Sequence, residues 1–126
     1  MPRTEVIFYQ DEDDKAPVLE WLRGLRRGER RAYAKCVVRI RELAERGHEL
    51  RRPAADLLRD GIHELRARAG RVHYRLLYFF HGKTVAVLAH GLTKEDAVPD
   101  TEIERALVRK KRFQQDPERH SCYVDL

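Results

Sequence analysis

Residues 61–91, GIHELRARAGRVHYRLLYFFHGKTVAVLAHG, decide the fold of this chain. They read as three consecutive strands at 62–68, 71–80 and 84–90, joined by turns at Ala69-Gly70 and His81-Gly82-Lys83. β-branched and aromatic residues set between glycine-centred turns carry that reading. A two-residue loop at Ala69-Gly70 puts Arg68 opposite Arg71, Arg66 opposite His73 and Glu64 opposite Arg75. Side chains alternate along a strand, so this register sorts them into two faces. One face holds His63, Leu65, Ala67, Val72, Tyr74, Leu76, Tyr78 and Phe80, and is core. The other holds Glu64, Arg66, Arg68, Arg71, His73 and Arg75, and is cationic.

Antiparallel sheets commonly leave one face to water, so a polar face is ordinary. Its bias is less so, because opposed like charges destabilise a strand pair. A partner outside the sheet would gain from that bias. The alternative is a solvated face with a Glu64–Arg75 cross-strand ion pair, worth about 0–1 kcal/mol.

Composition narrows the classes. A chain of 126 residues holds one core comfortably and two poorly. Hydrophobic residues at 42% beside 37% charged residues describe a highly charged globular protein. There are 26 Lys+Arg against 21 Asp+Glu, a net charge of +5, and arginine suits phosphate better than lysine does. Cys36 and Cys122 have no metal-ligand spacing and read as reduced thiols. The first residues lack a signal-peptide core, and no apolar run approaches the roughly 18 residues that span a bilayer. A cytoplasmic protein without membrane partners is expected.

Outward from the centre, Glu5 to Tyr9 is a short β-prone run. Asp13 or Asp14 is expected to cap a helix whose first turn holds Pro17 and whose core stripe is Val18, Trp21, Leu22 and Leu25. Residues 29–46 form the second helix of a hairpin, with Tyr33, Cys36, Val37, Ile40, Leu43 and Ala44 inward and Gly47 as its stop. Residues 48–60 read as a loop, and 92–100 as a polar connection. Thr101 and Glu104 have capping-box spacing at the start of a last helix that Pro99 introduces. Residues 1–115 are then a single domain, and 116–126 a mobile tail able to add a short strand at 121–126. The expected order is β-α-α-β-β-β-α, an α+β fold with helices on one side of a small, mostly antiparallel sheet.

No phosphate-cradling glycine motif, paired Cys/His cluster or nucleophile elbow occurs, so cofactor, metal and acyl-transfer chemistry are not expected. What remains is the arginine face, with His73 on it and His90 on the adjoining strand. RNA supplies its own nucleophile in the 2′-hydroxyl. Cleavage then needs cations on the developing phosphorane and a route for two protons. Arg66, Arg75 and Lys94 are candidates for the first, and His73 or His90 for the second. Which way His90 points depends on whether the preceding turn has two residues or three. Arg68, Arg71 and His90 are candidate RNA contacts.

The composite of ELR, eight residues on YRLLYFF, then VAVLAHG, TK, a proline and EIERA resembles the RelE/HigB-like toxins of type II toxin–antitoxin modules, in their phage-related HigB-like branch. The resemblance covers residues 61–112 and implies a RelE-like sheet flanked by a helical hairpin and a C-terminal helix. It also implies ribosome-dependent cleavage of mRNA, and restraint by a cognate antitoxin of helix-turn-helix type. Arg75 matches the family arginine that contacts the scissile phosphate, with Glu64 as its orienting partner. Lys94 matches the first of a lysine pair whose second position here is Glu95. Two other functions suit the fold: inhibition of a protein such as DNA gyrase, as in ParE-like relatives, and nucleic-acid binding without catalysis.

Overall fold

The computed structural model describes residues 3–93 and 97–126. Its elements are β1 (Glu5–Tyr9), α1 (Pro17–Gly28), α2 (Arg30–Arg46), a short 3-10 turn (Gly47–Glu49), β2 (Ala55–Arg59), β3 (Ile62–Ala69), β4 (Val72–His81), β5 (Val85–Thr93), α3 (Asp100–Gln115) and β6 (Ser121–Cys122). The fold is α+β, with one open sheet in the order β2-β3-β4-β5-β1-β6. Among the described residues only the β1–β5 pair is parallel.

The central strands close differently from the expectation. Ala69 pairs with Val72, so the loop is Gly70-Arg71 and Arg66 faces Arg75 while Arg68 faces His73. Gly70 has φ 62 and Arg71 is not left-handed, the type II′ pattern with glycine at the first central position. A loop at Ala69-Gly70 would ask a side-chain-bearing residue to take that conformation. The register moves by two residues, a full pleat, so every side chain keeps its expected face.

Residues 55–59, read as loop, form the edge strand β2. Asp60 (φ 51) and Gly61 (φ 80) make a two-residue turn with both residues left-handed, and Arg59 pairs with Ile62. An Asp-Gly pair between apolar residues is the strongest short hairpin signal, and it is what closes β2 onto β3. The third strand also extends past His90 to Thr93, taking two residues from the expected connection.

Helices cover both faces of the sheet, not one. Leu19, Leu22, Cys36, Ile40 and Leu43 of the α1–α2 hairpin pack on Leu65, Leu76, Tyr78 and Leu88. Ile103, Ala106 and Phe113 of α3 pack on Ile62, Leu77, Phe79, Val87 and Ala89 of the opposite face. Each such Leu, Ile or Phe contributes about 1.5–3 kcal/mol by leaving water. Gly91 lets α1 approach, since a Cβ there would lie 2.6 Å from the Trp21 ring.

Helix ends also differ in detail. Ala16, not an aspartate, precedes α1 without a side-chain cap, and Asp13 instead accepts the Lys15 amide at 3.2 Å. Gly47 (φ 53) stops α2 as expected, its N–H bonding the Leu43 carbonyl. Pro99 leads into α3, but the capping box does not form; Glu104 accepts from Arg59 at 2.5 Å. Beyond α3, Tyr9 stacks on His120, Ser121–Cys122 pairs with β1, and Val124 and Leu126 pack against the first core. No described helix is long and apolar enough to cross a membrane.

Candidate functional site

The β3–β4 hairpin brings two arginines face to face. That juxtaposition is unfavourable alone, and one carboxylate between them offsets it. Glu64, 1% exposed, accepts from Arg75 Nη1 at 2.8 Å and from Arg66 Nε, both on Oε1. Glu64 sits diagonal to Arg75, since its direct partner across the pair is Leu77. Removing a carboxylate so buried would strand two guanidinium charges.

A second carboxylate extends the cluster towards the sheet edge. Asp56 on β2 pairs with Glu64, and its Oδ2 lies 3.7 Å from Arg66 Nη2. The same oxygen accepts from Arg52 at 2.7 and 3.0 Å. Hydrogen bonding from Arg52 holds the Asp56 carboxyl below its ordinary value. Three arginines (Arg52, Arg66, Arg75) against two carboxylates (Asp56, Glu64) leave one positive charge over. Asp56 and Arg52 were not among the expected site residues; the Asp60-Gly61 hairpin signal, once read, places Asp56 beside Glu64.

Access to the two facing arginines is unequal. The Arg66 side chain is 37% exposed and that of Arg75 is 11% exposed. From behind, Arg39 Nε holds the Arg66 carbonyl at 2.7 Å. Among the described residues Arg75 Nε has no hydrogen-bond partner. A buried guanidinium N–H without an acceptor costs about 1–3 kcal/mol, a cost that the Glu64 contact at Nη1 helps to offset. Arg68 and Arg71 are exposed near the turn, with Arg68 Nε donating to the Gly70 carbonyl at 2.8 Å. His73, half-buried opposite Arg68, shares this face one pleat from Arg75.

His90 reaches the same face by a route that turn length does not describe. The β4–β5 turn has three residues, Gly82 to Thr84, because His81 pairs with Val85. Between Tyr78↔Leu88 and Leu77↔His90 the register shifts, and this bulge turns His90 to the side of Leu77 and Arg75. There α3 claims it. Nδ1 lies 3.1 Å from Arg109 Nη1, and Nε2 lies 3.3 Å from Glu102 Oε2, short of good hydrogen-bond geometry. Burial, then the Arg109 charge, pushes the His90 pKa down. At 9% exposure it faces the helix and not the open arginines. Lys94 and its neighbour Glu95 lie outside the described residues. Among the described residues no three His, Cys, Asp or Glu side chains converge as a metal site requires.

A family model described as "Phage derived protein Gp49-like (DUF891)" matches residues 20–111, well over half of the chain. No individual curated protein matches it. The matched span begins in α1 and ends in α3, and it contains every residue of the arginine cluster.

Proposed function

We propose a reaction from one premise: the chain belongs to the Gp49-like family of phage-derived proteins, a family of RelE/HigB-like toxin type. On this reading it is the toxin of a type II toxin–antitoxin module, a ribosome-dependent endoribonuclease that cleaves mRNA and so inhibits translation. Its partners are then a cognate antitoxin, of helix-turn-helix type by the family resemblance, and the translating ribosome.

The observation that carries this reading is the arginine pair. Arg66 and Arg75 face one another on one side of the sheet and share Glu64, with the Arg66 side chain 37% exposed. A scissile phosphate set over the pair meets two preorganised forks whose orientation is already fixed by Glu64. Positive charge held in place before the reaction stabilises the phosphorane more than charge that must reorganise. The 2′-hydroxyl attacks in line and the P–O5′ bond breaks, giving a 2′,3′-cyclic phosphate and a 5′-oxygen that water protonates to a free hydroxyl. His73, about 6.7 Å along β4 from Arg75 at the usual strand rise, takes the nucleophile's proton. Lys94 is the proposed third cation. Arg68 and Arg71 hold flanking phosphates. Inhibition of a protein target would leave this concentration of guanidinium groups without a task.

The test is induction of the chain without its antitoxin, and cleavage of mRNA by the purified protein with ribosomes. Wild type is expected to arrest growth and cut messages. Arg75→Ala and Arg66→Ala are each expected to slow cleavage by roughly 10²–10³-fold, the size of a lost transition-state donor. Arg66 is the cleaner probe, being more exposed. Folded variants that cleave at the wild-type rate would overturn the reading, as would arrest accompanied by DNA damage and intact messages.

A further inference from the structure

The molecule has a second polar–aromatic site that the arginine cluster does not use. A cleft of about 430 Å³ opens beside β2, on the face of the sheet that carries the α1–α2 hairpin. That size falls within the range of small-ligand pockets. Two aromatic stacks wall it. His48 lies flat on Phe80 with ring centres 3.6 Å apart, and His63 lies flat on Tyr78 at 5.1 Å. The stacks meet edge to face, His63 against Phe80 at 80°. Leu57, 58% exposed, forms the outer lip, and the exposed Arg51 and Arg52 flank the mouth.

We propose that this cleft takes one unpaired nucleobase of an RNA strand whose adjacent phosphate lies on the Arg66 cluster. The proposal rests on the nuclease reading above and adds a base-binding subsite to it. Three observations select this occupant. Flat rings at the surface offer a stacking platform that every base can use, and His48 is exposed. Burial depresses the basicity of His63, so its neutral ring offers one donor and one acceptor to a base edge. Arg52 joins the two places: it lines the cleft, and its guanidinium grips the carboxylate 3.7 Å from Arg66. β2 is the outermost strand and five residues long, so a nucleic-acid strand passes from one face to the other by rounding a single edge.

The full chain is titrated with short 2′-O-methyl oligoribonucleotides, which resist 2′-hydroxyl attack, each carrying 2-aminopurine at a different position. Wild type is expected to quench the probe at one position more than at its neighbours. His48→Ala should weaken binding about 10-fold, one lost base stack, without altering the salt dependence. His48→Phe should restore both affinity and quenching, a rescue that a purely structural role would not predict. Arg66→Ala should instead flatten the salt dependence. If His48→Ala binds and quenches like wild type while Arg66→Ala does not, the base site is wrong and the nuclease reading stands. Wild type that binds and quenches as described but cuts no message in the ribosome assay keeps the subsite and removes the nuclease. Wild type that binds none of the oligonucleotides overturns the subsite, while the nuclease reading is decided by the ribosome assay. If His48→Ala loses only antitoxin binding, the cleft is a protein anchor and the proposal falls.

Discussion

One face of the sheet is built in two halves, and they do opposite things. Under α3, Ile62, Leu77, Phe79, Val87 and Ala89 are sealed. Towards the β3–β4 turn the same face carries Arg66, Arg68, Arg71 and His73, which among the described residues lie outside the apolar cluster of the second core. Glu64 and Arg75 stand at the border, both 9% exposed or less. The comparison teaches that a single helix, by covering half a face, decides which polar residues are structure and which are surface. His90 and Arg75 have the same facing. Only His90 is tied to α3 through Arg109.

The largest expected effect breaks the covered half. Phe113, 1% exposed, meets Phe79 edge to face at 5.5 Å. Phe113→Ala should cost about 3–5 kcal/mol in urea unfolding, because it leaves a cavity as well as losing burial. A loss below 1 kcal/mol would mean that α3 does not seal this half. At the border, Glu64→Ala should cost about 3 kcal/mol by stranding two guanidinium groups. Arg75→Ala should cost less, since Glu64 then keeps Arg66. The reverse order would show that Glu64 does not organise the pair.

On the open half, Arg68→Ala should change stability by no more than about 0.5 kcal/mol. It should still lower the slope of single-strand RNA affinity against salt by about 0.7, one phosphate contact. An unchanged slope would remove Arg68 from the RNA path. The smallest effect is a pH dependence. His90 and His63 have depressed pKa values, mainly from burial. The unfolded chain therefore binds their protons first, and stability is full above the ordinary histidine value of about 6.5 and declines as pH falls below it. The urea midpoint should drop between pH 7.5 and 5.5, and His90→Gln should reduce that drop. If His90→Gln leaves the drop unchanged, the histidine beneath α3 is not the titrating group.

The arginine face is legible in the sequence because alternation is a property of the chain itself: residues two apart share a side whatever the turn does. A slip of a full pleat therefore changed the partners of Arg66 and Arg75 and not their side. β2 is legible only in its Asp60-Gly61 turn, because residues 48–60 hold no alternation long enough to stand out as a strand. His90 was not legible. Its facing follows from a bulge that the β4–β5 pairing imposes, and its burial from a helix that starts ten residues later.

By itself, then, the sequence determined the strand and helix order at the centre of the chain, the two faces of the hairpin and the positive charge gathered on one of them. These depend on local backbone preference and on a period of two, which travel with the residues. Only the tertiary structure decided that α3 would lie on the cationic face and the α1–α2 hairpin on the other. It also decided that Glu64 would be buried between two arginines, and that the edge strand β2 would bring Asp56 and Arg52 to them. Those outcomes depend on long-range packing, where each apolar stripe must find a partner surface, and no local spacing encodes which half of a face is left open.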